Sequence, residues 1–298
     1  SAIMSHSQVY RLVCPIFFAL ASFAAETPVS AAPRLVTVGS AATEIVFALG
    51  AGDAVAAVDT SSTYPEKVRQ LPQVGYVRNL SPEGVLSMEP DLVIATGAVG
   101  PPEARAMLER VDVPVLWLPD PTRVEDVRRS VRKVAARLDR EEAGEALLEK
   151  IEGQLASAKE RAKALEGGAP SVLFLLEPPG SGSGGMAGGE DSRAATLIRL
   201  AGGRNAAQGF SGFQPVSRES LLSMDPDVIL IGRSSGHGGG AGAVEALRES
   251  EALAGVAAVR EGAVHAVPLS DLAFGPRLGE AVLRWNALLL EAAGAEAD

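Results

Sequence analysis

From Arg34 onward, short apolar runs alternate with segments whose apolar positions recur every three or four residues. "RLVTV", "AVAAV", "DLVIA" and "PVLWLP" are the first runs, and "AATEIVFALGAG", "SPEGVLSM" and "PPEARAMLERV" carry the helical spacing between them. Runs that are apolar throughout predict strands buried on both faces, and helices between them predict parallel order. After Pro121 the pattern changes. From Val124 to about Leu165 the chain has no proline and is rich in Ala, Leu, Glu, Lys and Arg, which predicts one long helix or two in tandem, ending at Gly167 and Gly168. The alternation then resumes with "SVLFLL", "AATLIRLAGG", "SRESLLSM", "DVILIG", "AVHAVPL" and "GEAVLRWNALLLEAA".

One segment occurs twice. "LSPEGVLSMEPDLVIA" from Leu80 matches "VSRESLLSMDPDVILI" from Val216, sharing Ser81/Ser217, Glu83/Glu219, Leu86/Leu222, Ser87/Ser223, Met88/Met224, Pro90/Pro226 and Asp91/Asp227. Agreement at polar as well as apolar positions makes chance recurrence of helix, Pro-Asp turn and strand the poorer account. The pattern predicts an α/β fold of two similar lobes with parallel sheets, joined by a long helical spine, with a ligand cleft between the lobes. The expected division is 1–32 as a signal peptide, 33–120 as the N-terminal lobe, 121–168 as the helical connection and 169–298 as the C-terminal lobe.

The first 32 residues change the picture of where this fold operates. "LVCPIFFALASFAA" follows Arg11 and precedes small residues at Ala31 and Ala32, an export-signal pattern too short to span a membrane. The expectation is a periplasmic protein without membrane insertion once the signal is removed. Cys14, the sole cysteine, lies inside this leader, so the mature chain has no thiol chemistry. A net charge of -10, with no basic run, argues against a nucleic-acid partner.

Catalytic chemistry finds few carriers. The three histidines are His6 in the leader, His237 in "SSGHGGGAG" and His265 in "AVHAVP", a thin supply for a His/carboxylate metal site. His265 is expected on a strand with its ring hydrogen-bonded, and His237 in a loop, as a ligand or in solvent. No G-x-S-x-G elbow is present. The glycine-rich "PPGSGSGGMAGGED" and "GHGGGAGA" lack the Walker lysine and the dinucleotide spacing, and read as loops at the cleft rim. Met186, in the first of these, covers an apolar ligand or fills a gap. The expectation is a binding protein and not an enzyme.

What remains is a loop. Tyr64 in "TSSTYP" and Tyr76 in "VGYVR" both precede the first copy of the repeat, and Arg78 follows Tyr76 by two residues. A ferric ion or a nearby guanidinium favours the phenolate, and phenolate is an axial ligand for haem iron. The alternative is an ordinary loop pair, Tyr76 packed on the core and Arg78 in water, and on composition alone that is the simpler account.

The stretch "VTVGSAATEIVFALGAGDAVAAVDTSSTYP…LPQVGYVRNLSPEGVLSMEPDLVIA", with "AATLIRLAGGRNAAQGFSGFQPVSRESLLSMDPDVIL" and "FGPRLGEAV", resembles the haem-binding periplasmic proteins of bacterial ABC haem importers, within a wider group that binds cobalamin and siderophores. The resemblance implies that Tyr76 coordinates the iron of a transported haem and that Arg78 hydrogen-bonds to it, with Tyr64, Met186, Arg233 and Arg277 as further haem-binding candidates. The two arginines are candidates for the propionates, since arginine matches carboxylates bidentately; a structural salt bridge is the alternative for each. It also implies that Glu83 and Glu219 dock the lobes onto a permease dimer served by an ATPase. Cobalamin or a ferric siderophore is the alternative cargo. Where some relatives carry a second axial histidine, this chain has "EPPGSG" from Glu177 to Gly182, leaving five-coordinate iron or a ligand such as His237 open. Where the group has an aromatic-Lys-Pro element, this chain has Phe213, Gln214 and Pro215.

Overall fold

The computed structural model describes residues 33–165, 168–178, 185–234 and 239–295. The predicted export signal with Cys14 and His6, the run 179–184, Gly167 and His237 lie outside the described residues.

The first lobe is built from β1 (Leu35–Val38), α1 (Ser40–Ala48), β2 (Val55–Val58), β3 (Gly75–Tyr76), β4 (Asn79–Leu80), α2 (Pro82–Leu86), β5 (Leu92–Thr96), α3 (Pro102–Leu108) and β6 (Val115–Leu118). Two helices follow, α4 (Val124–Arg137) and α5 (Glu141–Arg161). The second lobe opens with β7 (Ser171–Glu177), β8 (Gly185–Gly188), α6 (Arg193–Leu200), β9 (Arg204–Asn205), β10 (Phe213–Val216) and α7 (Arg218–Met224). It closes with β11 (Val228–Arg233), α8 (Gly239–Arg248), α9 (Ala257–Arg260), β12 (Val264–Pro268) and α10 (Leu278–Ala292).

Strands β2, β1, β5 and β6 form a parallel sheet in that order. The near-continuous burial of β1 and β5 is the physical basis of their unbroken apolar sequences. The second sheet runs β10, β8, β7, β11, β12, with β9 pairing β7 off that path. Its β7, β11 and β12 are parallel, as the apolar runs predict. It departs from the all-parallel expectation at β8 and β10, which add antiparallel. Both carry residues that sequence patterns assign to loops: glycines in β8, and in β10 a proline of the kind tolerated near a sheet edge.

The spine is two helices, not one. Asp139 takes a left-handed φ of 54° between α4 and α5, a conformation aspartate tolerates, and the chain turns there. Beyond Arg161 a 3-10 turn, Ala162–Leu165, follows. One apolar core runs through both lobes and the spine, from Leu35, Ile45 and Ile94 through Val131 and Ile151 to Phe174, Leu197 and Trp285. Trp285 is fully buried, stacks on Phe174 with centroids 5.6 Å apart, and donates its indole N–H to Asp271 at 2.9 Å. Among the described residues no helix is long and apolar enough to cross a membrane.

Candidate functional site

Parallel strands converge their loops at their C-terminal ends, and in open α/β sheets ligands bind there. Both sheets obey this. Gly39 after β1, Ser61 after β2, Ala98 after β5, Asp120 after β6, Ser234 after β11 and Leu269 after β12 all line one cleft of about 1070 Å³. That is ample for a large organic ligand.

Tyr76, Arg78, Tyr64, Arg233 and Arg277 all line this cleft. Tyr76 ends β3 of a two-stranded hairpin in which it faces Asn79 across the pair. Among the described residues the hairpin pairs with no further strand, and it is held by backbone bonds: Thr60 N–H to the Gly75 carbonyl at 2.9 Å, Gly100 N–H to the Val77 carbonyl at 2.9 Å, and Leu80 N–H to the Gly100 carbonyl at 2.8 Å. Gly100 passes so near that a Cβ there would lie 2.9 Å from the Arg78 carbonyl oxygen. Val77 is buried as the hairpin's anchor, whereas Tyr76 is 49% exposed and Arg78 is exposed. The simpler expectation, Tyr76 packed on the core, is not what the structure shows.

The arginines divide by partner. Arg277, at the N-terminus of α10, gives its guanidinium fork to Glu44 of α1 at 2.9 and 2.6 Å. Glu44 is only 5% exposed, and burial raises its carboxyl although Arg277 pulls it down. The same hydrogen bond raises Arg277. The two-pronged geometry makes this an ion pair at neutral pH, because the guanidinium does not release its proton. The structural alternative for Arg277 is therefore the one observed. Arg193, at the start of α6, pairs with Asp120 and donates to the Leu272 carbonyl at 3.1 Å. Burial holds Arg193 below its usual range, Asp120 opposes that, and nearby Arg78 adds to it. Both ion pairs join the first half of the chain to the second. Among the described residues no ion pair or side-chain hydrogen bond occupies Arg78 or Arg233.

Three candidates lie off the cleft. Met186 is held in β8 with Pro215 opposite and Glu177 on its other flank; it is half-buried within the sheet and is not among the described residues that line the cleft. Glu83 and Glu219 stand exposed in the first turns of α2 and α7. Ser81 and Ser217 cap those helices through Gly84 N–H and Ser220 N–H, each at 3.2 Å. The Ser81 hydroxyl also donates to Glu83 at 3.0 Å. Bonds from its own backbone and from Ser217 lower the Glu219 carboxyl. His265 sits on β12 away from the cleft, and among the described residues its Nε2 has no partner, contrary to the expected hydrogen bond; burial lowers its pKa and keeps it neutral.

Glu44, Asp59, Asp120 and Arg193 were not legible as site residues. Asp59, fully buried, accepts Gly39 N–H at 2.8 Å and the Ser62 hydroxyl at 2.7 Å on one oxygen, and the Ser61 N–H at 2.9 Å and hydroxyl at 2.5 Å on the other. Ser62 continues to Thr43 and Thr37, each contact 2.7 Å. The available signals were a glutamate inside the apolar helix "AATEIVFALG" and an aspartate at the C-terminal end of a buried strand. Each demands a partner.

The family model described as periplasmic binding protein matches residues 35–269. A solved structure of the periplasmic heme-binding protein BhuT in complex with two hemes superposes with a TM-score of 0.80 at 36% identity, covering 87% of this chain and 98% of that one. An uncharacterized ABC transporter substrate-binding lipoprotein of Bacillus subtilis (strain 168), YvrC, is 27% identical over 199 residues, 66% of this chain. The chain spans 62% of that lipoprotein's length. The vitamin B12-binding protein of Yersinia pestis (strain Pestoides F) is 25% identical over 205 residues, 68% of this chain and 71% of its own.

Proposed function

The chain belongs to the periplasmic binding protein family, and from that premise we propose that it captures ferric haem in the periplasm and delivers it to the permease dimer of an ABC transporter driven by its ATPase. The observation that carries this is an exposed tyrosine, Tyr76, presented into the cleft by a tethered hairpin beside an arginine that no carboxylate among the described residues neutralises. A phenolate is a strong donor to ferric iron, and Arg78 follows Tyr76 by two residues on the same cleft wall. Arg233, a second cleft arginine free of an ion pair among the described residues, suits a carboxylate at the ligand's edge. Arg277 is left out of that role because Glu44 occupies its fork.

Residues 33–120 and 169–298 act here as the two lobes, and 121–168 as their connection. Glu83 and Glu219, one exposed carboxylate per lobe, would meet basic groups on the two permease subunits and orient the encounter. The likeness to a vitamin B12-binding protein supports a second cargo, cobalamin; a ferric siderophore is the third member of that class.

Titration with ferric haem, followed by absorption spectroscopy, tests the assignment. The parent protein should develop an iron–phenolate charge-transfer band that Tyr76→Phe loses and Tyr64→Phe keeps. A band lost in Tyr64→Phe alone moves the iron to Tyr64. No haem band, with cyanocobalamin bound, transfers the function to the cobalamin class.

A further inference from the structure

Tyr64 lines the same cleft, 47% exposed, and two sets of contacts bear on its position. The loop that delivers it is fixed by Asp59, whose two carboxylate oxygens take Ser61 and Ser62 just upstream. Its ring lies under the guanidinium of Arg277, 4.0 Å from the centroid. Arg277 is itself paired by Glu44, 4% exposed at its side chain, from the core of the opposite lobe. Arg277 covers one face of the ring, while the side chain stays about half exposed and lines the cleft. A flat, immobile aromatic surface complements a flat π-system and loses little freedom when one arrives.

Building on the haem assignment above, we propose that Arg277, backed by Glu44, is a positioning residue that holds the Tyr64 ring as a stacking platform for a planar macrocycle, and does not itself bind the ligand's carboxylates.

The two roles separate when the carboxylates are removed from the ligand. Ferric protoporphyrin IX and its dimethyl ester are titrated into the full chain, into Tyr64→Ala, into the neutral pair Glu44→Gln with Arg277→Gln, and into the combined variant. Neutralising both partners avoids leaving a buried carboxylate without its cation. A positioning role predicts that the neutral pair weakens both ligands alike, by about 5-fold, which corresponds to about 1 kcal/mol of lost ring fixation. It predicts no further loss once Tyr64 is alanine. Weakening confined to the free acid, or undiminished in the Tyr64→Ala background, overturns the proposal and returns Arg277 to the carboxylates. Should the neutral pair not fold, Arg277→Lys replaces it, keeping a cation for Glu44 while removing the flat guanidinium. A ligand-free measurement decides the proposal even if ferric porphyrin fails to bind the parent, an outcome that sinks the haem assignment alone. With fluorotyrosine incorporated, the ¹⁹F resonance of Tyr64, assigned by its loss in Tyr64→Phe, should shift in the arginine variant. An unmoved resonance shows that Arg277 does not hold the ring.

Discussion

In both copies of the repeat the aspartate after the proline accepts the backbone N–H that opens its lobe's first strand, Asp91 from Arg34 and Asp227 from Ser171, each at 2.7 Å. Both copies place a left-handed residue before the proline, Glu89 and Asp225, and a serine cap on the helix. Upstream of the serine they diverge. Continuing the repeat register backwards sets Gly212 against Tyr76 and Gln214 against Arg78. In the second lobe that segment is β10, its backbone laced to β8 from Phe213 to Val216. In the first it is the β3–β4 hairpin, which among the described residues pairs only with itself. A segment engaged in a main sheet has its side chains aimed by the pleat, whereas a hairpin tied at its base can carry two polar side chains into a cleft. The shared half of the repeat builds each lobe, and the half that diverged carries the candidate chemistry.

Erasing the divergence has the largest expected effect. Tyr76→Gly with Arg78→Gln copies the second lobe into the first and should weaken ferric haem at least about 100-fold, the equivalent of roughly 3 kcal/mol. Thermal unfolding should barely change, because both side chains are exposed. Affinity within a few-fold of the parent would break the comparison.

Next comes the feature the copies share at their surface. Glu83→Ala with Glu219→Ala should leave haem binding intact and slow delivery to the reconstituted transporter about tenfold, the scale of lost electrostatic steering. Normal transport leaves the two carboxylates as helix-end partners of Ser81 and Ser217. A defect in only one single variant would show that the lobes dock unequally.

The smallest effect belongs to the reverse graft. Gly212→Tyr with Gln214→Arg should create no second haem site. It should cost about 1–2 kcal/mol of stability in denaturant unfolding, since Gly212 holds a φ of 67° that a side chain resists. Haem bound at that lobe with Tyr76 absent would mean that β10 presents side chains as freely as the hairpin does.

The strands β1, β2, β5, β7 and β11 were legible because a strand buried on both faces needs an apolar side chain at nearly every position. The strands β8 and β10 were not. "GMAG" and "FQPV" pair through backbone groups that every sequence possesses, so glycine and proline there gave only turn signals. Tyr76 and Arg78 could be singled out because aromatic residues make up only 4% of the chain and the two lie within one short loop. Met186 stayed ambiguous for the opposite reason: a methionine among glycines has the same sequence signature at a cleft rim and inside a sheet.

Local order was determined by the sequence itself, since periodicity, serine caps, the Pro-Asp turn and the duplicated segment act over a few neighbouring residues. Which arginines are free was decided by the tertiary structure alone. Arg78, Arg233 and Arg277 are alike as residues, yet Arg277 is held by a glutamate 233 positions away that the fold buries against it. Ion pairing falls off over a few ångströms, and only the folded chain sets that separation for residues so far apart in sequence.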